Sequence, residues 1–453
     1  MKQPKNLTLS TTHIIMLSFL SVIILGSLLL SLPISSANRT AVPYLDALFT
    51  ATTATCVTGL VTLPTFSTWS VFGQIVILLL IQIGGLGVIT IMSVLMILLH
   101  KRMGINHRLL LQDAFNLNSL AGIIQFVKKV VFGSFLVEGI GALLYMFVFI
   151  PEFGLRGIWI SVFTSISAFC NAGIDIIAEN SLCNYSTHPL INVVTCMLII
   201  LGGIGYIVWW DALHVIKGTS QRKRHLFRHL TLHSKIVITS TIILIVTGAA
   251  LIFCFEYNNP LTIQPLPWYD KLQLSLFQSV TTRTAGFATI PQENLTNASS
   301  LLCLILMFIG GSPVGTAGGI KTVTVVVLFM TMLASIQNKN EVDIFNRTIS
   351  KQAISKAVAV ASMSLIIMFT STLLLSLVTN ADVLDILYET VSATATVGLT
   401  RNLTPFLNAA GKFVIICTMY LGRVGPLSFA LALNSNKQNN NIIKNPTEEI
   451  SVG

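Results

Sequence analysis

The chain has 453 residues, of which 53% are hydrophobic and only 10% are charged. Soluble globular chains carry about 25% charged residues, so this composition and a mean hydropathy of +0.80 exclude a soluble globular protein. We interpret the chain as a polytopic membrane protein. The net charge is +10, but the excess lies in linkers between predicted spans, and we expect no nucleic-acid partner.

Apolar stretches of about 20 residues, the length that crosses the hydrocarbon core, occur in four pairs along the chain. The first stretch is too long for the apolar region of a signal peptide, so we interpret it as a span. Between the members of each pair lies a semi-polar stretch of roughly 10 to 12 residues, too short to span, which predicts a re-entrant half-helix. The predicted spans are 13–33 and 74–99, 130–150 and 190–216, 236–256 and 300–334, and 355–378 and 411–433.

A short motif containing a glycine follows each predicted half-helix. The four copies, named glycine loops 1 to 4, are 56–60, 170–174, 283–287 and 395–399. Their glycines are separated by 114, 113 and 112 residues, which indicates fourfold internal repetition. We therefore predict an all-α integral membrane fold with four parallel span–pore helix–span repeats around a central pore. It contains eight transmembrane helices and four re-entrant half-helices.

Basic residues predict the orientation of the repeats. Two spans per repeat place both termini and all linkers between repeats on one side of the membrane. These segments hold 19 of the 27 Lys and Arg residues, so we expect a multi-pass plasma-membrane protein with cytoplasmic N- and C-termini. Docking of a cytosolic protein or of anionic membrane lipid is the alternative explanation of this charge. The predicted units are repeats at 13–100, 118–217, 234–335 and 353–434, and a C-terminal tail at 435–453.

The glycine loops point to a site for a monovalent cation. A dehydrated cation needs several oxygen ligands, and backbone carbonyls can supply them where glycine permits conformations that side chains obstruct. Carbonyls carry no formal charge, so rings of them suit K⁺, whereas carboxylates are typical of divalent ions. Helix packing against glycine is the alternative. The candidate K⁺ filter residues are Val57, Thr58, Gly59, Asn171, Ala172, Gly173, Thr284, Ala285, Gly286, Thr396, Val397 and Gly398.

A second glycine-rich segment, in the third repeat, is the candidate gate. One proline and five glycines between 310 and 319 disfavour a continuous helix. We place Arg423 about halfway along the last span, where it is costly in lipid. It is expected to line the pore, with pairing to an acid or to carbonyls as the alternative, and Lys321 to extend toward the cytoplasm. The candidate gate residues are Gly310, Gly311, Ser312, Pro313, Gly315, Thr316, Gly318, Gly319 and Arg423.

These features resemble the Ktr/Trk/HKT superfamily of potassium transporters, and within it the membrane subunit of bacterial Ktr systems. The resemblance covers essentially the whole chain and is carried by the four glycine loops and by the sequence from Gly318 to Thr322. It implies a K⁺ filter at the glycine loops, a gating intramembrane loop at 310–319 and a pore arginine at Arg423. Two departures from the family pattern are Cys170, where asparagine is usual, and Pro313 in the gating loop.

The resemblance also implies partners and a transported ion. It implies a homodimer on a cytosolic ring of nucleotide-binding regulatory subunits that respond to ATP or ADP, and K⁺ uptake stimulated by Na⁺. Gly59 favours K⁺, because plant relatives that favour sodium often have serine there. The alternatives are a sodium-conducting or Na⁺/K⁺-cotransporting member of the superfamily and a coupled secondary transporter of another cation. The scattered histidines and cysteines show no catalytic or ligand spacing, so we expect no enzyme.

Overall fold

The structure, a computed structural model, describes residues 11–99, 104–114, 122–178, 180–218 and 226–425. Each repeat consists of a first long helix, a half-helix and a second helix, and three of the second helices are interrupted. Repeat 1 contains α1 (Thr11–Leu30), α2 (Tyr44–Cys56), α3 (Thr65–Thr68), α4 (Val71–Leu86) and α5 (Val88–Leu98). A linker helix, α6 (Ile105–Ala114), follows. Repeat 2 contains α7 (Ile123–Phe153), α8 (Arg156–Cys170), α9 (Pro189–Gly203) and α10 (Tyr206–Gly218).

The second half of the chain repeats this order. After the short α11 (Leu226–His229), repeat 3 contains α12 (Leu232–Glu256), α13 (Trp268–Thr281), α14 (Asn297–Phe308) and α15 (Thr322–Ile336). A two-stranded antiparallel hairpin of β1 (Asp343–Ile344) and β2 (Arg347–Thr348) lies in the next linker. Repeat 4 contains α16 (Lys351–Val378), α17 (Val383–Ala395) and α18 (Ala409–Val424). The predicted tail at 435–453 lies outside the described residues.

The lengths of the helices agree with a membrane protein. Within the described ranges, α1, α7, α12 and α16 are long and apolar enough to cross a membrane, and the bent pairs α4–α5 and α9–α10 pass the same test as pairs. α14 and α15 flank an irregular segment, and α18 is described for 16 residues. The half-helices α2, α8, α13 and α17 have only 13 to 15 residues, too few to span about 30 Å.

The second spans predicted at 74–99 and 190–216 are not continuous helices. α4 and α5 meet at 97°, and α9 and α10 meet at 96°. Gly87 and Gly205 lie at these breaks with φ of 87° and 92°, a region that residues with side chains rarely adopt. A Cβ atom on Gly205 would also overlap the carbonyl oxygen of Pro313. The prediction of two straight spans is therefore wrong, because the apolar pattern continues through each bend.

Local sequence explains where the half-helices begin and end. Asp46, Asp270 and Asp385 lie in the first turns of α2, α13 and α17, where a negative charge interacts favourably with the helix dipole. α2, α8 and α17 are each followed by a residue in the left-handed conformation, which changes the chain direction and ends the helix. The half-helices therefore stop where the glycine loops begin.

Packing between repeats arranges them as a closed ring. Within each repeat the first helix packs on its own half-helix. The second helix packs on the half-helix of the next repeat, so α4 contacts α8, α9 contacts α13 and α14 contacts α17. α18 closes the ring by packing against α2. Each half-helix is thus enclosed by helices of two repeats.

Polar contacts reinforce all four junctions between neighbouring repeats. Two of these junctions carry a charged side chain, and the bonds lie at or near the half-helices and their following loops. They join Trp159 Nε1 to Gln74 Oε1 (2.8 Å), the N–H of Leu182 to the carbonyl of Ala288 (3.0 Å), Arg401 Nη1 to Ser300 Oγ (2.8 Å), and Lys412 Nζ to Asp46 Oδ1 (2.5 Å).

Candidate functional site

The four glycine loops share one backbone conformation. The residue two positions before each glycine is left-handed: Val57, Asn171, Thr284 and Thr396 have φ of 55°, 60°, 69° and 52°. The glycines Gly59, Gly173, Gly286 and Gly398 have φ of 100°, 64°, 80° and 97°. The fourfold repetition of the sequence is therefore also a fourfold repetition of the backbone.

The four loops meet around one axis. A Cβ atom added to the glycine of any loop would lie less than 3.0 Å from a carbonyl oxygen of the next loop. The pairs are Gly59 with Ala172, Gly173 with Ala285, Gly286 with Val397, and Gly398 with Thr58. Because these contacts close a cycle, the carbonyls that precede the glycines form one ring, and a side chain at any of the glycines would enter it.

Hydroxyl groups hold the loops from behind. Every loop is bonded to a hydroxyl of its own half-helix, six or seven residues earlier in the chain. Three hydroxyls accept a backbone N–H and the fourth donates to a carbonyl. The bonds join Thr53 to the N–H of Gly59 (2.9 Å), Ser167 to the N–H of Ile174 (3.1 Å), Ser392 to the N–H of Gly398 (3.0 Å), and Thr281 to the carbonyl of Phe287 (2.6 Å).

Several polar side chains of the loops are buried without a hydrogen-bond partner among the described residues. They are the hydroxyls of Thr58, Thr284 and Thr396 and both amide atoms of Asn171, and each residue is at most 1% exposed. Buried polar groups are normally paired with protein or water. Their position at the ring marks a place where water or a cation can supply the missing partner.

A cavity of 330 Å³, named the vestibule here, opens on one side of the ring. The four loop glycines, Asp175 and Glu293 all line it. Burial raises the pKa of Asp175 to about 6, while hydrogen bonds, including one from the N–H of Ile177 (3.2 Å), oppose this rise. Carboxylates at the mouth of a narrow passage raise the local concentration of cations.

The segment between α14 and α15, residues 309–321, is named the inner loop and lies on the other side of the ring. It adjoins residues that precede the loop glycines, whereas residues that follow them line the vestibule. The Thr316 hydroxyl donates to the carbonyl of Phe169 (3.0 Å), and Gly318 adjoins Thr396. Three backbone bonds join the inner loop to the α9–α10 break, namely Ser312 to Gly203 (2.9 Å), Thr316 to Gly202 (3.1 Å) and Tyr206 to Val314 (3.0 Å).

Arg423 joins the inner loop to repeat 1. Its Nη1 donates to the carbonyl of Thr316 (2.6 Å) and its Nη2 to the carbonyl of Gly84. Neither of the two salt bridges of the described chain includes it. The expected position at mid-helix is wrong, because α18 ends at Val424 and the guanidinium lies in its last turn. Hydrogen bonds from a charged donor are stronger than those between neutral groups, so this contact contributes strongly to the position of the inner loop.

Lys321 differs from its prediction. Its Nζ donates to the carbonyl of Ala317 (2.6 Å) in the inner loop and does not extend toward the cytoplasm. The carbonyls of this irregular segment have no helix to satisfy them, and the ammonium group supplies the missing donor. The predicted gate residues are therefore brought together with a second positive side chain.

Two buried charged residues near the loops were missed by the sequence interpretation. Arg283 directly precedes the left-handed Thr284, is 7% exposed, and has Nη2 at 3.5 Å from the carbonyl of Gly310. Glu138 lies in the middle of α7 and is 3% exposed. A charged residue inside an apolar stretch was the available signal for Glu138, since such residues mark functional sites in membrane proteins.

Comparison with known proteins decides the family. The chain matches the family model described as TrkH, cation transport protein, over residues 3–443. It belongs to this family of membrane cation transporters. The resemblance to the Ktr/Trk group predicted from the glycine loops is thus confirmed.

Individual relatives agree with this membership. The chain is 39% identical to Ktr system potassium uptake protein B of Bacillus subtilis (strain 168), over 97% of this chain and 96% of that protein. It is 37% identical to potassium/sodium uptake protein NtpJ of Enterococcus hirae, over 100% of this chain and 99% of that protein. The fold is similar to the crystal structure of the potassium transporter TrkH from Vibrio parahaemolyticus. That comparison has a TM-score of 0.75 at 16% identity and covers 95% of this chain and 86% of that one. The predicted all-α membrane pore fold is confirmed.

Proposed function

We propose that this chain takes up potassium selectively across the plasma membrane and that the ring of loop carbonyls is its K⁺ filter. The observation that carries the proposal is the closed cycle in which each loop glycine adjoins a carbonyl oxygen of the next repeat. Rings of backbone carbonyls replace the hydration shell of K⁺ in potassium channels. Relatives named as potassium uptake proteins support the same choice of ion.

In this proposal the ion follows the axis of the ring. K⁺ enters at the vestibule, where Asp175 and Glu293 attract cations. It exchanges water for the carbonyls of the glycine loops, which are neutral and therefore bind it without trapping it. The orphaned hydroxyls of Thr58, Thr284 and Thr396 are available to the ion or to its remaining water.

The inner loop and Arg423 form the gate in this proposal. The inner loop lies directly below the ring, and Arg423 holds it there by donating to the carbonyl of Thr316. The guanidinium also places a positive charge beneath the filter, which opposes the passage of cations. Opening requires the inner loop to separate from Arg423 and from Gly202 and Gly203 of the α9–α10 break.

Regulation and assembly follow the resemblance. We assign the basic linkers and both termini to the cytoplasm, where the linkers dock a ring of nucleotide-binding subunits that responds to ATP or ADP. The protein acts as a homodimer with one pore per protomer, and Na⁺ stimulates uptake. Support comes from relatives named as components of Ktr systems.

Combined uptake of sodium and potassium is the second candidate function. It is favoured by the similarity to potassium/sodium uptake protein NtpJ. Gly59 favours K⁺, because its left-handed φ of 100° leaves the carbonyl ring free of side chains. The two candidates differ in the ion that can exchange through the ring.

Rubidium uptake tests both candidates. Liposomes that contain the purified protein and its cytosolic ring are loaded with K⁺ or with Na⁺, and entry of radioactive Rb⁺ is measured. Uptake driven by internal K⁺ and not by Na⁺ is expected for a K⁺ filter, whereas equal uptake with both loads would establish the second candidate. No uptake with either load, in the presence of the ring, would contradict both.

A pair of glycine variants locates the selective step. Gly398→Ala places a Cβ atom against the carbonyl of Thr58, and we expect selective uptake to fall by about two orders of magnitude because the carbonyl ring is distorted. Gly139→Ala on α7 is the matched control, since nothing lies within 4 Å of its Cβ position. Equal selectivity in both variants would remove the filter assignment.

A further inference from the structure

A polar cluster between repeats 1 and 2 has no role in the ring, the vestibule or the inner loop as described. It consists of Gln82 of α4, Glu138 of α7 and Cys170 of α8. Gln82 Nε2 donates to both carboxyl oxygens of Glu138, at 3.0 and 3.2 Å. Cys170 Sγ lies 3.9 Å from Glu138 Oε1 and 3.7 Å from Gln82 Oε1. Three helices from two repeats therefore meet at one carboxyl group.

The position of this carboxyl group is unusual. Glu138 is the sixteenth of the 31 residues of α7, and a carboxylate at the middle of a spanning helix is costly. Its side-chain partners in the described chain are an amide and a thiol, both neutral. A well-packed apolar side chain would serve stability at least as well at such a site. The presence of glutamate therefore points to a function.

Other buried glutamates of the described chain are placed differently. Glu256 is the last residue of α12 and accepts bonds from Asn259, Thr262 and Thr296 of the following loops. Glu389 of α17 accepts a bond from the hydroxyl of Thr400 (2.7 Å), just beyond glycine loop 4. These carboxylates fix loops that follow a helix or lie on the vestibule side. Glu138 instead lies behind the start of a glycine loop.

Cys170 connects Glu138 to glycine loop 2. It is the last residue of α8 and directly precedes Asn171, the left-handed residue of that loop. Its Sγ also lies in the space that a Cβ atom on Gly85 would need. The carbonyl of the adjacent Gly84 accepts a bond from Arg423. The cluster therefore touches the ring on one side and the contact of Arg423 with repeat 1 on the other.

We propose that Glu138 is a positioning residue for glycine loop 2 and that its carboxylate raises the affinity of the ring for the cation. Gln82 fixes the carboxylate, and the Cys170 thiol donates to it, so the start of the loop is held at the ring. A full negative charge behind carbonyl groups, which carry only partial charges, adds to the attraction that a cation experiences. The inference rests on the proposed function, because it takes the ring to be the cation site.

The affinity for Rb⁺ tests this inference. Initial rates of uptake are measured against external Rb⁺ concentration in cells that lack other potassium uptake and that express the chain with its cytosolic ring. Glu138→Gln keeps the shape of the side chain and removes the charge. We expect its KM to rise about tenfold with Vmax changed less than about twofold, the size given by one charge at roughly 10 Å in a medium of intermediate dielectric constant.

Matched variants separate charge from contact. Cys170→Ala removes the donor and is expected to raise KM about threefold, in the range of one lost hydrogen bond. Cys170→Ser keeps a donor of similar size and is expected to restore a KM close to that of the natural protein. Glu256→Gln removes a buried charge far from the cluster and is expected to leave KM unchanged.

Each outcome bears on the inference. An unchanged KM in Glu138→Gln overturns it, and so does a lower Vmax or lower membrane abundance at unchanged KM, which a purely structural defect would give. If Glu138→Gln fails to reach the membrane, the cysteine pair decides, because equal KM values for Cys170→Ala and Cys170→Ser would overturn the inference. Absence of uptake by the natural chain with its ring would contradict the proposed function itself, and with it this inference.

Discussion

The glycine loops and the inner loop lie against each other but are supported in different ways. Each glycine loop is bonded to a hydroxyl of its own half-helix, six or seven residues earlier in the chain. The inner loop depends on distant residues. Its Thr316 is bonded to Phe169, 147 residues away, and to Arg423, 107 residues away.

This difference separates a symmetric layer from an asymmetric one. Because local bonds hold all four glycine loops alike, a shift of one repeat leaves the support of each loop intact. The inner loop comes from repeat 3 alone and is held by repeats 2 and 4. A small movement of those repeats therefore displaces the inner loop first. Selectivity and opening are expected to respond to different substitutions.

The largest expected effect follows from removing the long-range support. Arg423→Gln deletes the charged donor that bonds Thr316 and Gly84, and each such bond contributes about 2 kcal/mol. We expect Rb⁺ flux without the cytosolic ring to increase about 30-fold at unchanged K⁺/Na⁺ selectivity. Liposome flux with Arg156→Gln, an exposed arginine beside Phe66, is the control. Loss of selectivity at unchanged flux would contradict the separation of the two layers.

Removing a local support is expected to have the opposite consequence. Ser392→Ala deletes the acceptor for the N–H of Gly398, at a cost of about 1 kcal/mol. We expect K⁺/Na⁺ selectivity to fall about fivefold while flux without the cytosolic ring stays low, as measured by competition between Rb⁺ and Na⁺. Ser376→Ala, which removes an exposed hydroxyl bonded to Leu373 within α16, is the control. Higher flux without the ring in Ser392→Ala would show that the two layers are not independent.

The vestibule adds a third, smaller effect through pH. Burial raises the pKa of Asp175 to about 6, so its carboxylate is charged at pH 7 and becomes protonated as the pH falls to 5. We expect the KM for Rb⁺ to rise about threefold over this interval, because less negative charge attracts the cation. Asp175→Asn removes this dependence, while Glu293 remains in the vestibule. An identical pH profile in the variant would assign the titration to another group.

The smallest effect is expected at the ion pair between repeats 4 and 1. Lys412 Nζ and Asp46 Oδ1 are 2.5 Å apart and both side chains are partly exposed, so the pair is worth about 1 kcal/mol at most. Lys412→Gln should lower the midpoint of thermal unfolding by about 2 °C and leave selectivity and flux unchanged. A change in selectivity would mean that the junction transmits strain to the ring.

The glycine loops were predictable because their signal is short and local. A left-handed residue two positions before a left-handed glycine is encoded within five residues, and the recurrence of the motif at 112 to 114 residues identifies the repeats. The existence of the half-helices followed from the length of the semi-polar segments. Both features depend on neighbouring residues, which sequence patterns describe well.

The contacts of the inner loop were not predictable in the same way. Arg423 bonds to backbone carbonyls 107 and 339 residues away, and a carbonyl leaves no mark on the identity of its residue. The bends at Gly87 and Gly205 were hidden because the apolar pattern continues through them and a single glycine is tolerated within a helix. Cys170 was noted as unusual, but its neighbour Glu138 belongs to another helix and is brought close only by folding.

The packing of α18 on α2 has a consequence for biosynthesis. α2 is complete once Cys56 has been added to the chain, whereas its partner is finished only at Val424. A nascent chain of three repeats therefore holds most of its helices while the face of α2 that receives α18 is still uncovered. Incompletely packed surfaces of this kind are recognised during quality control. We expect truncation within repeat 4 to cause rapid degradation, with no partly active product.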